Sequence, residues 1–489
     1  MTHGKKFVHT ANAPSGVSRR RFLNRAALGF GLAPFASSIF GTALALDQSG
    51  PTAPKNLRFN SSTLRASDFA YLGAMRLPSS GYPSDEDPSY SYAPLAARKV
   101  NGVLHFFMTG SNPKGDRVFE FIDTQSYSRD YRDAPRAEMA TYWGDIYQGR
   151  RKSWDGSGNP LALQFLVTRG LLWHNDRLYW TFYDSYNTTN RDDWCIGMTN
   201  LGSNPSQMRA YGPWRPTTPG DGPGVKHADQ WLVEMPDGTL GAGASIQSGD
   251  LYSSYGPELV AGATFPTDGT PSGFGAQNLT FPQVYVQYKN MFGYVNVDGT
   301  VPSGQPIWAL KREGSYVYHN VNPSKGTPEP RPEIDPAKNG GIGSFTSIDG
   351  IGGCVYINLP DKQGILFLGA LGTGHVWYGP VSNCGHGLGN PCTGGQGPNA
   401  TGFQARWWIY DPAACRAAIS RTVQPWQITA ADDFDPTAKI APFKLGCNKV
   451  TAGAYFDAAT RKLYVAAYQA DDSISGLAFP LIHVFQIKS

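Results

Sequence analysis

One unit recurs along this chain, and it constrains the fold more than any other feature: a strand, a tight turn, an apolar strand, a long loop and a third strand of alternating character. The first copy runs Tyr92–Lys99, turn Val100-Asn101-Gly102, Val103–Thr109, loop, Arg117–Ile122. The second has Leu161–Leu172, turn His174-Asn175-Asp176, Arg177–Tyr183 and Trp194–Met198. The third has His227–Glu234, turn Pro236-Asp237-Gly238, Thr239–Ala244 and Glu258–Ala263. Two later copies are Gly353–Leu359 with Ile365–Ala370 and Ala405–Tyr410, and Ala452–Phe456 with Lys462–Ala467 and Leu481–Ile487. Asn-Gly and Asp-Gly supply the positive φ angles of tight hairpins. A sheet of this kind cannot bury both faces alone, and packing such sheets in a ring solves the problem. The reading is all-β, a single β-propeller of five to seven four-stranded blades. A degenerate copy is expected at Val284–Lys311, and the alternative is a pair of β-sandwich domains.

Composition agrees. Among 489 residues there are 57 Gly and 37 Pro, with 13% aromatic and only 16% charged residues. That excludes a helical bundle and a disordered chain, and it suits many short strands joined by turns. One helix is expected, with Asp411 as its N-cap, Pro412 in first position and Ala413–Ile419 following.

The N-terminus reads as an address. Ser18-Arg19-Arg20-Arg21-Phe22-Leu23 resembles the twin-arginine export signature, with Asn24 where a Lys often stands. A mildly apolar run, Ala26–Ala45, is too interrupted by Gly, Pro and Ser to anchor in a membrane, and it ends in the small-x-small site Ala43-Leu44-Ala45. The expected division is a cleaved signal peptide, residues 1–45, and a propeller, residues 46–489, delivered to the periplasm or beyond. The final stretch, Ala405-Arg-Trp-Trp-Ile-Tyr-Asp-Pro through Ala454-Tyr-Phe-Asp-Ala-Ala-Thr-Arg-Lys-Leu-Tyr-Val, resembles the last blades of exported bacterial propellers, without matching a defined enzyme family. Twin-arginine export implies a protein that crosses folded, which permits a cofactor and requires none.

This leader distorts the charge. It holds Lys5, Lys6, Arg19, Arg20, Arg21 and Arg25 and no acid, so the +4 of the whole chain becomes about −2 for residues 46–489. No basic tract interleaved with aromatics occurs, which argues against nucleic acid as a partner, and no other segment reaches spanning length. All six cysteines follow the leader. Cys384 and Cys392, which bracket a Gly-rich loop, are the expected disulfide in an oxidising compartment, and the other pairings are left open among fifteen connectivities.

In propellers generally, the inner strand starts on the functional face and the second-to-third loop returns there. Here the turns at the other end are tight, while Gly110–Asp116, Asp184–Asp193, Ile246–Pro257, Leu371–Gln404 and Gln469–Pro480 are long. Long loops on one end of a rigid scaffold are where binding and chemistry concentrate. That end is expected to gather Tyr92, Trp154, Tyr186, Tyr255, His375, Tyr378 and Arg406 as substrate-binding groups, and Asp155, Asp229, Asp349 and His227 as catalytic ones. Each has a plainer role as a turn cap or a sheet hydrogen-bonding residue. Together the aromatics, carboxylates and amides suit a polysaccharide or oligosaccharide.

Two chemistries fit. Glycoside hydrolysis, slightly favoured, needs a carboxylic acid and a carboxylate, drawn from Asp155, Asp229 and Asp349. Elimination on a uronate polysaccharide needs a base and acid plus a cation, which His227, Tyr255, His375 and Arg406 could supply. Asp229 stands two residues after His227, on the same side of a strand. Non-catalytic glycan or protein binding is the third reading, and a redox propeller has no ligand motif behind it. No cofactor is required. Asp85-Glu86-Asp87 and Asp432-Asp433-Phe434-Asp435 read first as solvated acidic turns, with Ca2+ as the cation they could hold. Phosphate-loop and Gly-x-Ser-x-Gly motifs are absent.

Overall fold

The structure is a computed structural model that describes residues 62–152, 166–184, 194–217, 228–245, 257–267, 278–286, 311–312, 315–316, 350–378, 398–420, 422, 428–439, 451–474 and 479–489. It is a five-bladed β-propeller. The first blade contains β2 (Ala96–Val100), β3 (Val103–Thr109), β4 (Val118–Ile122) and β5 (Met139–Gly144). The second contains β6 (Leu166–His174), β7 (Arg177–Asp184), β8 (Ile196–Asn200) and β9 (Arg209–Thr217), with β13 (Asn278–Thr280) added in parallel to β9. The third is β10 (Trp231–Glu234), β11 (Leu240–Gly243), β12 (Leu259–Ala263) and β14 (Gln283–Val286). The fourth is β17 (Gly350–Asn358), β18 (Gln363–Tyr378), β19 (Pro398–Tyr410) and β20 (Asp432–Phe434). A two-stranded ladder, β15 (Lys311–Arg312) and β16 (Ser315–Tyr316), stands apart from the blades.

The fifth blade comes from both ends of the described chain. β21 (Thr451–Asp457), β22 (Lys462–Asp471) and β23 (Phe479–Ile487) are completed by β1 (Phe69–Arg76), which pairs antiparallel with β23 from Phe69↔Ile487 to Arg76↔Leu481. The inner strands β2, β6, β10, β17 and β21 neighbour one another in that order, and β21 returns to β2, so the ring is closed. The sandwich alternative therefore falls. Gln283–Val286, read as the start of a further copy, is instead the outer strand of the third blade. The hairpin turns follow the sequence reading: Asn101 and Gly102, and Asn175 and Asp176, all have positive φ. The helix α1 (Pro412–Ile419) also forms where expected, with the Asp411 carboxylate accepting from Ala413 N–H.

Aromatic side chains fill the spaces between blades. Phe69 of β1 meets Trp407 of the fourth blade and Phe485 of the fifth, with ring centroids 6.0 and 6.4 Å apart and near-perpendicular planes. Near the axis there is no room for side chains. Gly453 of β21 lies against the backbone of Ala93, Pro94 and Leu95 in the first blade, and a Cβ there would collide with it. Gly170 of β6 is hemmed in by Thr181 of its own blade, which a Cβ would strike, and lies close to Gln230 and Trp231 of the third blade.

Two substitutions test this packing by urea denaturation. Gly453→Ala is expected to destabilise by about 1–3 kcal/mol, because backbone cannot yield to an added methyl. Phe69→Ala, which empties a core position of the closing strand, is expected to cost about 3–5 kcal/mol.

Candidate functional site

All five inner strands start at one end of the ring, and the second strand of each blade finishes there. In the second blade the register of β6 on β7 slips between Thr168 and Gly170, making Arg169 the extra residue of a β-bulge. Inner strands β17 and β21 slip at comparable points, Ile351/Gly353 and Thr451/Ala454. There the bulged residues are Gly and Ala. Only in the second blade does the position carry a long cationic side chain, and a bulge re-aims the side chain it carries.

Arg169 is 6% exposed. Its guanidinium lies 5.0 Å over the ring of Tyr92, just ahead of β2 in the first blade, and 6.0 Å from the ring of Tyr183 on β7. Tyr92 in turn stacks on Tyr468 of β22 in the fifth blade, with centroids 5.8 Å apart and planes at 15°. Three neighbouring blades thus meet in one cation–aromatic group. The Nε and Nη1 atoms of Arg169 are buried and have no hydrogen-bond partner among the described residues.

The support beneath this group is tight. Ser91 bonds Thr109 through its hydroxyl (2.9 Å) and accepts from Ala93 N–H (2.9 Å), which fixes the backbone on both sides of Tyr92. Asp116, fully buried in the β3–β4 loop, accepts from Arg151 Nη1 at 2.5 Å, from Thr168 N–H at 2.8 Å and from Asn112 at 3.1 Å. Arg151 and Asn112 also bond the Leu166 carbonyl, at 3.0 and 2.6 Å. A loop of the first blade therefore clamps the start of β6, one residue before the bulge.

Burial raises the Tyr92 hydroxyl above its ordinary ionisation range, with Arg169 opposing and Asp116 reinforcing. Burial and the adjacent Tyr92 push Tyr468 up to about 12, again against Arg169. Both are neutral phenols near pH 7, so they act as hydrogen-bond donors rather than bases. Burial likewise pushes the Asp116 carboxyl up, while Arg151 and the Thr168 N–H pull it back.

Of the residues expected from sequence, Tyr92 is in this group. Asp229 lies at the same end, 1% exposed, just before β10. The adjacent Gln230 is locked to Ser245 by bonds of 2.7 and 3.1 Å. Arg406 of β19 is paired with Asp433 of β20, at 2.7 Å from Nε, so that guanidinium is already engaged. His375 and Tyr378 fall on β18. The stretch read as the loop Leu371–Gln404 continues instead as the β18–β19 ladder through Tyr378↔Pro398, a hairpin that projects past the blade. Asp155, Asp349, His227, Trp154, Tyr186, Tyr255, Cys384 and Cys392 lie outside the described residues. Cys195, Cys354 and Cys415 are buried thiols.

The acidic runs are engaged in structure. Asp87 caps Ser89, Asp432 accepts from Ala66 N–H, Asp433 holds Arg406 and Asp435 caps Thr437. Among the described residues no group of three or more His, Cys, Asp or Glu is arranged to hold a metal ion.

Arg169, Tyr183, Tyr468 and Asp116 were not singled out in the sequence. A signal existed for Arg169: it interrupts the apolar run Leu166-Val167-Thr168-Arg169-Gly170-Leu171-Leu172, and the Gly after it marks a bulge.

No family model and no curated protein matches the chain. Solved structures with a similar course include a GH43 endo-arabinanase from Bacillus licheniformis, at 12% identity over 82% of this chain and 95% of that one, TM-score 0.30. Another is a GH43 enzyme from Xanthomonas citri complexed with xylotriose, at 9% identity over 82% and 89%, TM-score 0.31. A member of the DUF4221 family from Bacteroides vulgatus reaches 9% identity over 86% and 98%, TM-score 0.32. At such scores no activity passes from those proteins to this chain.

The two ion pairs described above differ sharply in burial, which makes them a test of which one the site depends on. Asp116→Ala leaves Arg151 uncompensated in a buried place and is expected to cost about 3–5 kcal/mol. Arg406→Ala breaks a pair whose side chains are 27% and 43% exposed, with an expected cost of about 0–1 kcal/mol. Urea midpoints of the two variants check the contrast.

Proposed function

We propose that this chain is an exported, carbohydrate-active propeller that takes a polysaccharide or oligosaccharide at the end of the ring where the inner strands start, with glycoside hydrolysis as its favoured chemistry. The observation that carries the reading is the meeting of half-buried Tyr92 and Tyr468 with buried Arg169 at the end of the ring where buried Asp229 also lies. Aromatic rings pack against sugar faces, neutral phenols donate to hydroxyls, and a water-poor carboxyl is the group hydrolysis needs. Asp229 is the catalytic carboxylate best supported, held in place by the Gln230–Ser245 lock beside it. Asp155 and Asp349 are the candidates for its partner.

A specific observation also favours elimination on a uronate as the second reading. Nε and Nη1 of Arg169 have no partner among the described residues, so it suits the neutralisation of a substrate carboxylate better than Arg406, which Asp433 occupies. In that chemistry His227 would be the base, since Tyr92 stays protonated near neutrality.

A polysaccharide panel read in parallel for new reducing ends and for ultraviolet absorbance of unsaturated uronates separates the readings. Reducing ends without absorbance support hydrolysis, and the two together support elimination. Under hydrolysis, Asp229→Asn is expected to lower turnover about 10²–10⁴-fold while substrate binding persists. Turnover undiminished in that variant removes Asp229 from the mechanism, and binding without either product leaves a non-catalytic glycan-binding protein.

A further inference from the structure

We propose that Arg169, with Tyr92, Tyr183 and Tyr468, forms a subsite for the carboxylate of an acidic sugar, so that the glycan taken by this protein carries uronate residues. The inference rests on the saccharide reading above and adds the charge of the ligand.

A guanidinium carries five N–H donors and stays charged at any physiological pH. Buried, it ordinarily meets a carboxylate or a set of carbonyls. Three other half-buried arginines show the rule. Arg98 forks onto Glu120 at 2.8 and 2.9 Å, Arg151 holds Asp116 and the Leu166 carbonyl, and Arg150 donates to the Gly212 carbonyl at 2.8 Å. Arg169 departs from it. Its near neighbours are the faces of Tyr92 and Tyr183, and Nε and Nη1 find no acceptor among the described residues. Asp116, the carboxylate bonded to the neighbouring Thr168 N–H, is committed to Arg151, Asn112 and that N–H. Ring faces temper a cation without saturating its N–H groups, which leaves donors for an incoming anion.

The placement suits a sugar rather than a bare ion. Arg169 and Tyr183 are buried, whereas Tyr92 and Tyr468 are half-buried, so the aromatic side of the group is its open side. Because the Tyr92 ring already meets Tyr468 and the Arg169 guanidinium, a pyranose is taken at the exposed edges of the two tyrosines, with its C5 carboxylate on the Arg169 N–H groups. The phenol hydroxyls serve its ring hydroxyls. A planar carboxylate matches the planar guanidinium, which is why arginine outperforms lysine in such sites.

The test is calorimetric titration of the full chain with trisaccharides of galacturonate, glucuronate and mannuronate, each beside its carboxyl-reduced neutral form. At least one acid is expected to bind about tenfold or more tightly than its reduced form, the loss typical of one charge-assisted contact. Arg169→Gln is expected to abolish that preference, and Arg169→Lys, which keeps the charge and loses the fork, to restore only part of it. The wild-type preference is read without any variant, and Tyr92→Phe, which keeps the ring, provides a mild second probe with an expected few-fold loss. Equal binding of acid and reduced forms overturns the inference and leaves the saccharide reading standing. An acid preference that survives Arg169→Gln overturns it by making Arg169 a packing residue. Failure of all six trisaccharides and of every polymer in the panel removes the saccharide reading as well.

Discussion

Everything at the functional end depends on the closing of the ring, and the ring closes through the antiparallel pairing of β1 with β23. A blade is a sheet with two apolar faces, and each face is covered by a neighbour. An open row of blades would leave two such faces and their strand edges in water. By lending β1 to the fifth blade, the chain ties its first described strand to its last and removes both exposed ends together. The side chains of β1 confirm that this is packing as well as hydrogen bonding, since Phe69 and Tyr71 share one apolar cluster with Trp407 and Phe485. Five blades also force the inner strands close together. That is why Gly453 stands where a Cβ would strike the backbone of the following blade, and why Gly170 has the backbone of Gln230 and Trp231 pressed close to it.

That crowding shapes the site. An inner strand that must pass a neighbour's backbone cannot keep regular alternation, and β6, β17 and β21 each slip register near their starts. In two blades the slip is filled by the smallest residues. In the second it carries Arg169, whose side chain reaches out of the pleat and over a tyrosine of the next blade. The Asp116 clamp then holds the strand on the side of Thr168, and Gly170 fixes it on the other. A buried cation is costly, and the structure retains it between two fixed points, which is the economy expected of a binding group and not of a packing residue.

The fold was legible in the sequence because its signals are local. Asn101-Gly102 and Asn175-Asp176 need positive φ, the flanking runs alternate, and the copies are of similar length, so strand, turn and strand follow from short-range chemistry. What was missed is non-local. Nothing in Phe69–Arg76 says that it will pair with residues some four hundred positions away, and the outer strands β5, β9, β14 and β20 keep no constant distance from their hairpins. The stretch Leu371–Gln404 reads as a loop in sequence, although the β18–β19 ladder carries on through Gly372 and Thr373 to Tyr378↔Pro398. The site divides in the same way. Tyr92 and Asp229 could be placed from their position ahead of an inner strand, whereas the joining of Tyr92, Arg169 and Tyr468 requires three blades to be in register around an axis.

Arg406 shows why chemistry on the right element does not make a site. It sits near the rim on β19, as the repeat predicts, but β20 pairs beside it and brings Asp433 opposite Trp408, two residues from Arg406 and on the same side of the strand. The carboxylate then takes the guanidinium. Arg169 has no such neighbour strand on its axial side, because β6 is the innermost strand of its blade and faces only the starts of other inner strands. A charge on an innermost strand can also be answered within its own blade, as Glu120 of β4 answers Arg98 of β2, but Nε and Nη1 of Arg169 find no such acceptor among the described residues. Arg169 meets the ring of Tyr92 in the first blade and that of Tyr183 on β7 beside it, and because rings do not accept its N–H groups, the geometry leaves that charge to a ligand.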